Sequence, residues 1–225
     1  VLARSEPGAV GRRGLTFLLV PLDQPGVSIR PIRQITGDSE FNELFLDGAL
    51  TAADNVLGPP GGGWDVAMAL LGFERGVSTL GQQMAFRNEL DAVIAAARAN
   101  GAVQDPLIRQ RLVQAEIGLR LMRFGALRLL DQEAGGAGTG TAVTYKIQWA
   151  TWRRSLGELA MDVLGQAGEV AAALPDGDYA MPMLTDLFLN ARADTIYGGT
   201  NQIQRNLIAE RGLGLPREPR GNLKG

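Results

Sequence analysis

The 225-residue chain contains no cysteine and no histidine. Those two absences together exclude disulfides, thiolate nucleophiles, Cys/His metal centres and imidazole acid–base catalysis. No metal site is expected, and any chemistry must run on carboxylates or a bound cofactor. Charge of neither sign predominates: 22 Lys and Arg stand against 24 Asp and Glu, a formal net charge of −2. Composition therefore makes no case for nucleic acid or an anionic membrane as partner. No stretch approaches the roughly twenty uninterrupted apolar residues of a membrane span, and the N-terminus lacks a basic-then-apolar signal pattern, so a cytoplasmic location is expected. Aromatic residues are sparse at 6%, yet 45% of the chain is apolar and 20% charged, an ordinary globular balance. The chain opens on Val1 rather than methionine, so a piece of a longer protein is expected.

What is present divides in two. "LTFLLVPL" (15–22), "VSIRPI" (27–32) and "ELFLDGAL" (43–50) are apolar or alternating runs separated by Pro25-Gly26 and "TGDSE" (36–40), and predict three strands of one small sheet. After "NVLGPPGGG" (55–63) the texture turns helical. A long helix is expected from Trp64 to Asn100, with kinks or an interruption at its glycines. Ala67, Leu70, Leu71, Val77 and Gly81 on one side, with Val66, Phe73, Leu80 and Met84 on another, predict that it is central and buried. A second helix, capped by Asp105 and opened by Pro106, repeats Ile108, Leu112, Ala115, Leu119, Met122, Ala126 and Leu129 at four-three spacing, the mark of a bundle seam. The glycine-rich "EAGGAGTGTA" (133–142) is expected as an exposed loop to a third helix with Trp149, Trp152, Leu156, Leu159 and Val163 on one face. Helices at about 182–195 and 201–211, the last stopped by Gly212, complete this half.

Two places invite a chemical reading. In "LLGFERGVS" (70–78), Glu74 has Leu70, Leu71, Val77 and Ser78 three and four residues away. An acid so placed is either paired with a cation, Arg75 or one from elsewhere, or held with a raised pKa as a general base. Near the C-terminus, "IYGGTNQIQRNLIAERGLG" sets Gly198-Gly199 before a helix start. The corner is either a simple helix–turn–helix joint capped by Thr200, or an anion-binding N-terminus whose glycines let a ligand approach the backbone.

The order "LLV…PGV…RPIRQITGDSEFNELFLDG…GW..AM..L.FER…IYGGTNQIQRNLIAER" resembles the acyl-CoA dehydrogenase family from the middle of its β domain to its C-terminus, and "IYGGTNQIQRNLIAERGLGLPR" is the most specific part. The resemblance implies a mainly α fold: a four-helix-type bundle at 58–225, preceded at 1–57 by a small part of an antiparallel β domain. It implies FAD-dependent α,β-dehydrogenation of an acyl-CoA thioester, as in fatty acid β-oxidation, with a carboxylate taking the α-proton and hydride passing to the flavin. Electron-transfer flavoprotein or an equivalent acceptor is the implied redox partner, and a homo- or hetero-oligomer through the bundle the implied assembly.

Many members place the base directly after the tyrosine of the C-terminal motif, where this chain has Gly198. Isovaleryl- and long-chain-type members place it on the first bundle helix before an arginine, which Glu74-Arg75 matches. On that pattern Glu74 is the base, Arg75 sits beside base and substrate, Tyr197 lines the acyl pocket and the Gly198 N–H meets the thioester carbonyl. Thr200, Asn201 and Gln202 match the FAD-contacting stretch, and Gly165 a glycine of the cofactor turn. The sequence departs from the family where "AARANGAVQDP" (96–106) lacks the R-x-x-F-G element through which one subunit grips its neighbour's FAD, and at Asp162 and Gln166 in the glycine-rich turn. Those departures resemble heteromeric members with fewer cofactors. The alternatives are a non-catalytic partner subunit or a flavin oxidase on the same fold.

Overall fold

The computed structural model describes the backbone of all residues except 78, 136–139, 171, 174–178 and 218–225, and side chains outside 72–80, 129–143, 171–180 and 218–225. The chain forms two compact units, Val1–Val77 and Ser78–Gly225.

The first unit holds strands β1 (Leu2–Arg4), β2 (Leu15–Leu18), β3 (Val27–Ile32), β4 (Phe41–Leu46) and β5 (Val56–Leu57), then helix α1 (Gly63–Val77). The expected strands do not share one sheet. β2 pairs antiparallel with β1 and β5, whereas β3 and β4 form a separate antiparallel hairpin running from Val27 opposite Leu46 to Ile32 opposite Phe41. The run 15–22 supplies strand only as far as Leu18, and Pro21 has no N–H to give a ladder. Thr16, buried in β2, accepts from the Gly61 N–H (2.9 Å) and so pins the segment leading into α1. At Gly63 an added Cβ would lie 2.4 Å from the Phe17 nitrogen, so only glycine lets the helix start this close to β2.

The second unit is helical: α2 (Thr79–Ala99), α3 (Pro106–Gly135), α4 (Gly140–Leu164), a short ladder of β6 (Ala172–Ala173) and β7 (Tyr179–Ala180), α5 (Met183–Asp194) and α6 (Asn201–Leu207). A π turn, Ile208–Gly212, ends the last helix at the expected glycine. Asp105 Oδ1 accepts from the Leu107 N–H (2.7 Å) and the Ile108 N–H (3.4 Å), the cap expected ahead of Pro106. The seam forms as its spacing predicts, with Leu112, Leu119, Met122 and Ala126 buried and Ile108 and Ala115 packed at its edge; the Leu129 side chain lies outside the described residues. Trp149, Leu156, Leu159 and Val163 are likewise buried, in one cluster with Leu184 and Leu187 of α5. Of the segment expected as a loop, 133–142, α3 takes the beginning and α4 the end, and 136–139 lie outside the described residues. Gly157 lets α4 and α5 close up, since a Cβ there would lie 2.9 Å from the Phe188 Cα.

A second expectation, that of one central, buried helix, is overturned. The pattern over 64–100 is not a single central helix: α1 belongs to the first unit and α2 to the second. Leu70 is 51% exposed, Leu71 43% and Met84 73%, while α2 turns Phe86, Leu90, Val93 and Ala97 inward. An apolar circumference states what a helix can bury, not how many neighbours it has. Within its unit α1 packs on the short strands β1 and β2, which cover only part of it. No described helix is long and apolar enough to cross a membrane.

Candidate functional site

The link between α5 and α6 is a wound corner. Gly198 (φ +62°) and Gly199 (φ +98°) both adopt left-handed backbone that other residues enter only with strain. The Thr200 hydroxyl oxygen accepts from the Ile203 N–H (3.2 Å) and caps α6, as the joint reading expects. The Asn201 N–H donates to the Thr195 carbonyl (3.1 Å), and the buried Gln204 amide donates to the Gly198 carbonyl (3.0 Å). Among the described residues the Gly198 and Gly199 N–H groups donate to no protein acceptor. Next to them Asn201 Oδ1 is buried without a partner among the described residues, although Asn201 Nδ2 reaches Thr151 Oγ1 at 3.5 Å. The corner thus presents backbone donors open to solvent or a ligand at the exposed Gly198 and half-buried Gly199, beside one buried acceptor without a partner among the described residues.

Beneath the corner lies a charged cluster for which the sequence reading made no allowance. Asp194, the last residue of α5, is only 1% exposed. It accepts from Arg153 Nη1 (3.0 Å) and from the Tyr197 hydroxyl (2.7 Å), while Lys146 donates to its backbone carbonyl. Arg153 also pairs with Glu89 (2.8 Å). Burial pulls the Arg153 guanidinium down, but the carboxylates of Glu89 and Asp194 outweigh it and hold the group above its ordinary value. Lys146 is pulled below its ordinary value by burial, only partly offset by Asp194. Its ammonium lies 4.6 Å from the Trp149 ring centre and 5.1 Å from that of Tyr197. A trace of this was in the sequence: Lys146 and Arg153 lie seven apart on α4, each three residues before a buried apolar residue, Trp149 and Leu156.

The structure brings Tyr197, Gly198, Thr200, Asn201 and Gln202 together. Tyr197 is 48% exposed, with its hydroxyl turned inward to Asp194. Glu74 and Arg75 lie on α1, and their side chains are outside the described residues. Gly165 is not gathered with the corner in this chain. It follows the end of α4, fourteen residues beyond Thr151, roughly 21 Å at 1.5 Å per residue. The unusual Asp162 pairs with Arg111 of α3 (2.5 Å), Gln166 is exposed, and Gly101 (φ +80°) turns the chain in the region that lacks the R-x-x-F-G element.

Residues 61–213 match the family model of the acyl-CoA dehydrogenase C-terminal domain. Acyl-CoA dehydrogenase IpdE1 of Mycobacterium tuberculosis is 56% identical over 221 residues, covering 98% of this chain and 56% of that protein. The chain therefore spans about half the length of such curated relatives. Among solved structures, the Tcur3481-Tcur3483 steroid ACAD superposes with a TM-score of 0.84 at 25% identity, over 97% of this chain and 56% of the other. The ChsE4-ChsE5 complex from Mycobacterium tuberculosis superposes at 0.77 and 22% identity, over 97% and 57%, which speaks for the fold alone. On the match over most of its length and this identity, the chain belongs to the acyl-CoA dehydrogenase family.

Proposed function

We infer that this chain is the part of an FAD-dependent acyl-CoA dehydrogenase that carries the catalytic carboxylate and the thioester-binding corner. The observation that carries the reading is the Gly198-Gly199 corner, whose left-handed backbone leaves two N–H groups undonated among the described residues. An amide donor aimed at a thioester carbonyl stabilises the negative charge that grows there as the α-proton leaves. On the resemblance to members that carry glycine at this corner and the base before an arginine on the first bundle helix, Glu74 is assigned to take the α-proton, with Arg75 beside it. Tyr197 lines the acyl site.

The residues at the corner fit FAD: the orphaned Asn201 Oδ1 is a buried acceptor that a cofactor N–H or hydroxyl would satisfy. Thr200, Asn201 and Gln202 are assigned to hold it. FAD, when bound, supplies the hydride acceptor that no side chain here provides. Gly165, at the far end of α4, is assigned to the flavin of a neighbouring chain rather than its own. Electron-transfer flavoprotein or an equivalent acceptor is the proposed route out for the electrons. A steroid-derived acyl-CoA is the first substrate to assay, given the likeness to a structure described as a steroid ACAD.

The proposed assembly partner is an unlike chain of the same family, docking on the outer face of α3. Val113, Ile117, Leu121 and Phe124 are each at least half exposed there, flanked by the exposed Arg120, Arg123 and Arg128. A self-contact would set those arginines against their own copies, which an unlike, acidic-margined chain avoids. The full-length protein with its partner should purify yellow and reduce a dye with acyl-CoA. A colourless complex would instead mark a scaffold subunit, and peroxide without added acceptor an oxidase.

A further inference from the structure

Residues 194–200 are tied down at both ends by side chains. Tyr197 folds back three residues to place its hydroxyl on the Asp194 carboxylate (2.7 Å), and Gln204 holds the Gly198 carbonyl (3.0 Å). The peptide between Tyr197 and Gly198, whose N–H the proposed function uses, hangs between these two anchors. Gln204 is an amide in the following helix and needs no counter-charge. Asp194 is a carboxylate buried to 1% exposure, and such a group keeps its charge only if cations answer it. Arg153 answers one oxygen but also pairs with Glu89, so its single charge faces two carboxylates, and Lys146 at the Asp194 carbonyl brings the four groups to two against two. Lys146 closes the arrangement from the corner side: its Cε lies 3.5 Å from where a Cβ on Gly198 would stand. The cluster thus reaches from α2 through α4 to the end of α5, all rigid elements, and terminates on the loop that carries the working amide.

We propose that Asp194 is a positioning residue for the Gly198 amide, acting through the Tyr197 hydroxyl and itself held in place by Arg153. The inference rests on the thioester-binding reading of the corner. It assigns Asp194 no contact with substrate: its effect is to fix where one N–H points, and a donor misplaced by a fraction of an ångström stabilises developing charge poorly.

The test uses the full-length enzyme with its partner and flavin. Tyr197→Phe removes one hydroxyl and no ring contact, so it leaves the fold intact where Asp194→Ala threatens it. It should lower kcat per bound flavin by about tenfold or more while KM changes less than about twofold, and speed amide exchange over 195–200 with only the small fall in Tm that one lost hydrogen bond brings. Asp194→Asn, which keeps an acceptor for the phenol, should lose less than Asp194→Ala. The double variant Asp194→Ala, Tyr197→Phe should be no slower than Asp194→Ala alone, because both act through one bond. Unchanged kcat per flavin in Tyr197→Phe, or fully additive losses, would overturn the proposal. Exchange is read without substrate: if wild-type enzyme showed no acyl-CoA-dependent flavin reduction, the corner's assignment would fall, and unchanged exchange at 195–200 in Tyr197→Phe would separately overturn Asp194's hold on the corner.

Discussion

The indole N–H of Trp152 on α4 donates to the Ala115 carbonyl on α3 at 2.9 Å, and the same ring sits where a Cβ on Gly118 would come within 2.6 Å of it. Two helices of the bundle are thereby brought together at a glycine, and a side-chain hydrogen bond to a main-chain carbonyl fixes their register.

A matched pair of variants on one helix isolates that contact. Gly118→Ala gains about 1 kcal/mol of helix propensity but must displace a packed indole, an overpacking cost of about 1–3 kcal/mol, so the net change is destabilising. Gly125→Ala, with nothing within 4 Å of the added Cβ, should stabilise by about 0.5–1 kcal/mol. Denaturant midpoints of opposite sign are expected for the two. A stabilising Gly118→Ala would mean that Trp152 is not held where described.

Much of this architecture was readable in advance, and the limits have physical causes. The α3 seam and its Asp105-Pro106 start are local patterns, and helix period and capping depend on residues within a turn or two of one another. Strand pairing is not local: 15–22 looks like one long strand, but its partners are the short segments at Leu2–Arg4 and Val56–Leu57, too brief to show a period. Leu70, Leu71 and Met84 advertise burial, yet apolar spacing says nothing of how many neighbours a helix has. At the site, Gly198, Gly199 and Thr200 were legible because left-handed turns and caps have a restricted vocabulary. The Lys146, Arg153 and Glu89 contacts span 48, 41 and 64 residues of sequence, and no one-dimensional spacing shows them.

Acid should weaken the α2–α3 contact. Hydrogen bonds from Arg87 and then Arg120 hold the Glu116 carboxyl below its ordinary 4.5. A carboxyl depressed in the folded state binds fewer protons there than in the unfolded chain. Its contribution is complete above 4.5 and is lost as pH falls through the lower folded value. Glu116→Gln should therefore cost about 0.5–1 kcal/mol at neutral pH and flatten the acid limb of the stability curve. An acid limb identical to wild type would show that Arg87 and Arg120 do not hold Glu116.

The outer stripe of α3 gives an assembly test. Ile117→Asp and Phe124→Asp place charge at positions 50% and 59% exposed, so folding should be little affected while docking is lost. Light scattering of the full-length protein purified with its partner should show a smaller species for both variants. Unchanged mass, or a stable oligomer of this chain alone, would contradict an unlike chain on this face.

The most direct measurement follows flavin bleaching by acyl-CoA in a stopped-flow instrument, comparing wild type with Glu74→Gln in the full-length enzyme and its partner. The substitution keeps the shape of the side chain and removes its basicity. If Glu74 takes the α-proton, reduction should slow by about 10²-fold or more with flavin content and acyl-CoA binding little changed. Near-wild-type reduction in Glu74→Gln would contradict the account and place the catalytic carboxylate on another chain.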